Sequence, residues 1–147
     1  MADAGYDGWG AAATASGAAL GGLFFLLVAV VAAVAYSIAG SGNHALTSGL
    51  NDFVWAGFVL TSFPRAMLIM SSAFGLWRAE QISNALFAAG GAAVVLVLPG
   101  GTTWLSGGLW APDGVYSRFV SPAIGVVWGI VVSGVLLRRS PATRAAW

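Results

Sequence analysis

The stretch FVWAGFVLTSFPRAMLIMSSAFGL, residues 53–76, decides how this chain is threaded. At 1.5 Å per residue it is long enough to cross the ~30 Å hydrocarbon core of a bilayer. Yet Pro64 and Arg65 sit at its midpoint. Read as one helix, it is the second of four membrane spans. Read as two half-length segments, 53–63 and 66–77, it is a re-entrant hairpin at 53–77 in a protein with three true spans. A re-entrant backbone has to be buried in protein or line water, and a small chain supplies little of either. The four-span reading therefore leads.

Arg65 makes this span marginal. A central arginine costs about 2.5–3.5 kcal/mol on insertion scales, and the ten Leu, Ile, Phe and Val residues of the window return roughly 3–6 kcal/mol together. Asp52 is 13 residues away, about 20 Å along a helix, too far for an ion pair. Thr61 and Ser62, at i−4 and i−3, are within local reach. Pro64 lacks an N–H and crowds the carbonyl of Leu60, which becomes an available acceptor. Tyr36, Ser71, Ser72 and Asn84 are further polar candidates. Two readings of Arg65 follow. It is a structural arginine held by hydroxyls and carbonyls, or, with Thr61, Ser62, Ser72 and Asn84, it forms a polar site for an anion or lipid headgroup.

Outward from this stretch, the 147 residues are 59% hydrophobic and 7% charged. Soluble domains carry about 25% charged residues, so this composition is that of one all-α polytopic integral membrane domain, a four-transmembrane-helix bundle. The expected spans are 18–39, 53–76, 82–99 and 119–137, with a tail at 138–147. The acidic start MADAGYDGWG does not resemble a secretory leader, so the first apolar run reads as a retained helix. All six basic residues are arginine. Arg78, Arg138, Arg139 and Arg144 fall on one side of a four-span arrangement and Arg118 on the other, which places both termini in the cytoplasm of a multi-pass cell-membrane protein. The first half of the chain carries no arginine before Arg65 and leaves its own orientation unconstrained.

Small residues recur every four positions at Ser121, Gly125, Gly129 and Ser133, and again at Gly17 and Gly21. Such faces let helix backbones approach closely in lipid, within one bundle or between chains. Trp104, Trp110 and Tyr116, in the loop before the last span, read as an interfacial belt. The tail RRSPATRAAW suits anionic headgroups. His44 and Glu80 read as solvated loop and turn residues.

Function is bounded mainly by exclusion. With zero cysteines there is no thiol chemistry, and no metal, haem or other cofactor site can be assembled from one histidine and carboxylates outside the spans. Proton-coupled carriers use intramembrane carboxylates, which are lacking here. A net charge of +1 gives no footprint for nucleic acid. Two stretches, FPRAMLIMSSAFGLWRAEQISNALFAAGGAAVVL and GVVWGIVVSGVLLRRS, resemble the C-terminal part of uncharacterised multi-helix membrane proteins of high-GC bacteria. In those, a helix, a short Arg-bearing turn and another helix precede a Trp-containing span closed by paired arginines. The resemblance covers about half the chain, implies the bundle and a bacterial inner membrane, and carries over no functional residues. The expectation is a non-enzymatic protein, structural or accessory in a membrane complex, with lipid, its own copies or other membrane proteins as partners. The rival is a small oligomeric channel or carrier in which Arg65 contacts an anion.

Overall fold

The computed structural model describes residues 8–102 and 108–139, and these are helical with short turns. Helix α1 (Trp9–Ala33) runs on through a π-turn (Val34–Ile38) and a 3-10 turn (Ala39–Ser41). Helix α2 (His44–Leu60) leads into α3 (Ser62–Arg78) across the single residue Thr61. Helix α4 (Asn84–Val97) ends in a 3-10 turn (Leu98–Gly101), and a π-turn (Tyr116–Val120) feeds α5 (Ser121–Arg139). Four continuous helical runs, Trp9–Ile38, His44–Arg78, Asn84–Gly101 and Tyr116–Arg138, are long and apolar enough to cross a membrane. The third and fourth match their expected bounds closely. The first begins about nine residues early, because Ala- and Gly-rich residues 9–17 extend it without raising its hydropathy much.

The second run differs more. The loop expected at 40–51 is largely helix: the Asn43 side chain accepts from the Leu46 N–H at 3.1 Å and caps α2, with His44 its first residue. The run is therefore 35 residues, about 52 Å, rather than 24. It breaks at Thr61, since Pro64 offers no N–H to the Leu60 carbonyl. Thr61 keeps near-helical angles (φ −62°, ψ −15°), so the chain continues onward through the break.

The register of α1 excludes the re-entrant hairpin. Trp9 packs on Phe74 (ring centroids 4.5 Å), Phe24 on Phe58 (6.0 Å), and Leu27 lies against Gly57. Positions on α1 rise as those on α2–α3 fall, on both sides of Thr61. A hairpin would instead lay α3 back beside α2. One long broken helix thus runs antiparallel to α1.

Helices α4 and α5 pack on α3. The Trp77 ring stacks on Phe87 at 4.8 Å, and its Nε1 donates to Asn84 Oδ1 at 2.7 Å, closing the α3–α4 turn. Ala66, Ile69 and Ala73 of α3, Val97 of α4 and Trp128 of α5 form the core. At the far end Gly101 abuts Phe63. The α4–α5 pair is thus level with α3 and leaves α2, with the second half of the first helical run, extending beyond it. Phe53, Val28 and Val31 are about half exposed or more, and Tyr36 is 94% exposed.

Adjacent glycines on α4 test this packing. A Cβ on Gly90 would lie 2.9 Å from the Ala73 Cβ and 2.7 Å from the Trp128 ring, while one on Gly91 meets nothing within 4 Å. Gly90→Ala should cost about 1–3 kcal/mol through overpacking. Gly91→Ala should be neutral or slightly stabilising. Thermal unfolding of the detergent-solubilised protein measures both, and equal effects would contradict the packing.

Candidate functional site: an arginine at the helix breaks

Three departures from α-helical geometry meet at one level of the bundle: the α2–α3 break at Thr61, the 3-10 end of α4 and the π-turn before α5. Arg65 lies at their centre, 5% exposed. Its NH2 donates to Thr61 Oγ1 at 2.9 Å and its NH1 to Ser121 Oγ at 3.1 Å. Helical side chains tilt toward the helix N-terminus, so the guanidinium is carried a turn up α3, to the end of the bundle where α4 stops.

No carboxylate lies in α3, α4 or α5. The positive charge is met instead through the two hydroxyls. Thr61 Oγ1 donates to the Phe58 carbonyl at 2.6 Å, and Ser121 Oγ reaches the Val97 carbonyl at 3.5 Å. Those carbonyls belong to the last turns of α2 and α4, each equivalent to roughly half a negative charge. Every hydroxyl both accepts and donates, so each passes the arginine's polarity to a helix C-terminus. Among the described residues no buried side-chain nitrogen or oxygen lacks a partner.

The aliphatic stem of Arg65 fixes α5 as well. A Cβ on Gly125 would stand 2.6 Å from Arg65 Cδ and 3.0 Å from Cγ, so this crossing admits glycine alone. At Gly100 a Cβ would meet Ser121 Oγ at 2.7 Å. Ser62 Oγ lies 3.4 Å from Ser121 Oγ, tying the start of α3 to the start of α5.

Of the residues expected around the arginine, Thr61 and Ser62 are there, both buried. Ser72 is two turns away on α3, accepting from Trp128 Nε1 at 3.0 Å. Asn84 stands at the opposite end of α4, engaged with Trp77, roughly 25 Å from the node by helical rise. Tyr36 lies beyond the bundle. The small-residue face divides. Ser121 and Gly125 are consumed by Arg65, whereas Gly129 faces open space. Gly17 touches Leu68, and Gly21 has nothing near it.

Sequence reasoning missed Ser117, which is buried, and the part played by Gly100 and Gly101. The four-residue spacing of Ser117 and Ser121 was the signal available for the first. Trp110 and Tyr116 pair at 4.6 Å, and Arg118 lies 5.2 Å from the Trp55 ring, so aromatic and cationic groups gather at this end. Trp104 and the tail beyond Arg139 lie outside the described residues.

Beside the node, a groove of about 360 Å³ runs down the bundle between α1 and α5 with α3 as its floor. Leu20, Phe24, Leu68, Gly125 and Gly129 line it, and Arg65 closes its upper end. No protein family model, curated protein or solved structure matches this chain.

The two hydroxyl contacts are separable. Thr61→Val and Ser121→Ala each leave a buried guanidinium nitrogen short of a partner, at an expected cost of about 1–3 kcal/mol. The double variant should depart from additivity, because both hydroxyls serve one charge. Unfolding in mixed detergent micelles measures the cycle, and single losses below about 0.5 kcal/mol would contradict the arrangement.

Proposed function

We propose that this is a non-enzymatic membrane protein with an accessory role in a larger membrane assembly, docking a partner through the helical extension that rises beyond its bundle. The stagger between the two helix pairs carries the reading. Helix α4 with its terminal turn spans 18 residues, about 27 Å, the thickness of bilayer hydrocarbon. A bilayer laid along α4 puts Arg78 and Arg138 at one face. It puts Arg118, Trp110 and Tyr116 at the other, where arginines and aromatic rings are favoured. With positive charge inside, the Arg78 face is cytoplasmic.

The alternative placement, centred on the most apolar part of α1, is worse. It would drive the exposed turn at 108–113, with Asp113, into hydrocarbon, where open backbone goes unsatisfied. With the bilayer along α4, α1 beyond about Leu27 and α2 before about Phe58 stand outside it. Residues 28–38, VAVVAAVAYSI, are apolar all round, and two helices alone cannot bury such a surface. A helix of that kind in water needs a protein neighbour.

The polar groups support the same reading over a channel. Thr61, Ser62, Ser117 and Ser121 cluster at one end of the bundle. Below them α3 presents Ala66, Ile69 and Ala73 to the core, and the hydroxyl in register with Arg65 on α3, Ser72, is engaged by Trp128. Hydroxyls engaged in holding an arginine also offer no acid, base or nucleophile for catalysis.

The cysteine-free chain makes the docking testable. Tyr36→Cys, treated in native membranes with a short thiol-to-amine cross-linker, should form an adduct heavier than two 14.9 kDa copies. Adding Val31→Asp should abolish that adduct while leaving the unfolding temperature unchanged. Full labelling of Tyr36→Cys without any adduct, or oxidation to a disulfide-linked dimer of the chain in its place, would overturn the accessory role.

A further inference from the structure

We infer that the groove between α1 and α5 is a binding site for an anionic phospholipid, with one acyl chain in the groove and the phosphate at Arg65. Three observations converge on that occupant.

The first is size. A helix is 10–12 Å across, so one lying along this groove for about 17 Å, the rise from Pro122 to Ser133, would fill on the order of 1,300 Å³. The groove holds about 360 Å³. It admits a hydrocarbon chain and not a helix. Its length is close to one bilayer leaflet, roughly 15 Å.

The second is shape. Helices α1 and α5 both lean on α3 but leave the space above it open. At Gly129, on the α5 wall, an added Cβ would meet nothing within 4 Å. The apolar walls continue down α5 to Val132. A chain entering sideways from the bilayer meets no polar group until it reaches Ser72 or Ser133, apart from the arginine at the top.

The third is charge. Arg65 is 95% buried, it lies where α4 ends, and the four helices α1, α3, α4 and α5 carry no carboxylate. Its contacts to Thr61 and Ser121 use one donor on each terminal nitrogen, and a guanidinium carries five. The planar fork suits a phosphate oxygen. With the bilayer along α4, this end is at headgroup depth, which is where a phospholipid in that leaflet holds its phosphate. A zwitterionic lipid would bring an equal positive charge with its phosphate; an anionic one brings net complementarity.

The test uses the full-length protein reconstituted in nanodiscs of phosphatidylglycerol and phosphatidylcholine in equal amounts. It is then re-extracted in mild detergent, and the co-purifying lipid is weighed by native mass spectrometry. The expected result is about fivefold enrichment of phosphatidylglycerol, the ratio set by one basic residue at an anionic lipid surface. Gly129→Phe fills the groove without touching Arg65, and should abolish retention of either lipid while the unfolding temperature holds. Arg65→Gln should keep a bound lipid but lose the preference between the two. Retained lipid at the bulk ratio in the natural chain would overturn the proposal. So would unchanged enrichment in Gly129→Phe, which would trace it to the arginines at the other face. Retention of a free fatty acid in place of phospholipid would also refute it.

Discussion

The bond pair from Arg65 to Thr61 and Ser121 is the constraint on which the rest of the bundle depends. An arginine in the middle of an apolar segment costs about 2.5–3.5 kcal/mol, which would cancel much of what that segment gains by inserting. The chain lowers this cost in two ways. Its side chain climbs a turn toward the end of the bundle, and its charge is spread through two hydroxyls onto two helix C-termini. Both devices require broken helices at that level. An unbroken α2–α3 would keep its carbonyls in its own ladder, and a longer α4 would carry its terminal dipole past the guanidinium. The proline, the PGG turn at 99–101 and the π-turn before α5 are therefore parts of one solution, each supplying backbone or space to the same cation.

Much of this was legible in the sequence. Hydropathy locates four helical runs, Pro64 flags a weakness in the second, and the i−4 spacing picks out Thr61 as a local partner, while Ser62, also within reach, lies against Ser121 instead. What could not be read was vertical position. The midpoint of an apolar window says where the Cα of Arg65 lies, while the guanidinium's depth depends on which neighbours end nearby. Asn84 groups with Arg65 on sequence because both are polar on adjacent helices. The stacking of Trp77 on Phe87 fixes a register that puts Asn84 at the other end. The early start of α1 and the capped start of α2 were hidden for a related reason. Ala, Gly, Ser and Thr sustain a helix without contributing enough hydropathy to mark its bounds.

The stagger follows from those unmarked lengths. Once α2 and α3 form a 35-residue run, an 18-residue α4 can match half of it. Trp77 and Arg65 decide which half, since they engage the two ends of α4 and the start of α5. The consequence is an apolar extension made by the most hydrophobic helix in the chain, which is a costly surface to expose to water. Its near-total lack of internal burial, with Leu27 the one buried residue of α1, is what gives the accessory reading its physical content.

The small-residue face on α5 shows how one pattern serves two purposes. Spacing by fours predicts a stripe, and the natural expectation is one partner along its whole length. Here the upper positions are forced small by the arginine: Gly125 yields to its stem, and Ser121 needs its hydroxyl where a larger side chain would collide with Gly100. The lower positions, Gly129 and Ser133, face no helix, so internal packing does not account for their size. A stripe that begins as a packing contact thus continues as a wall. The arginine at its upper end makes that wall chemically asymmetric, apolar along its length and cationic at one end, which is the profile of an amphiphile rather than of another helix.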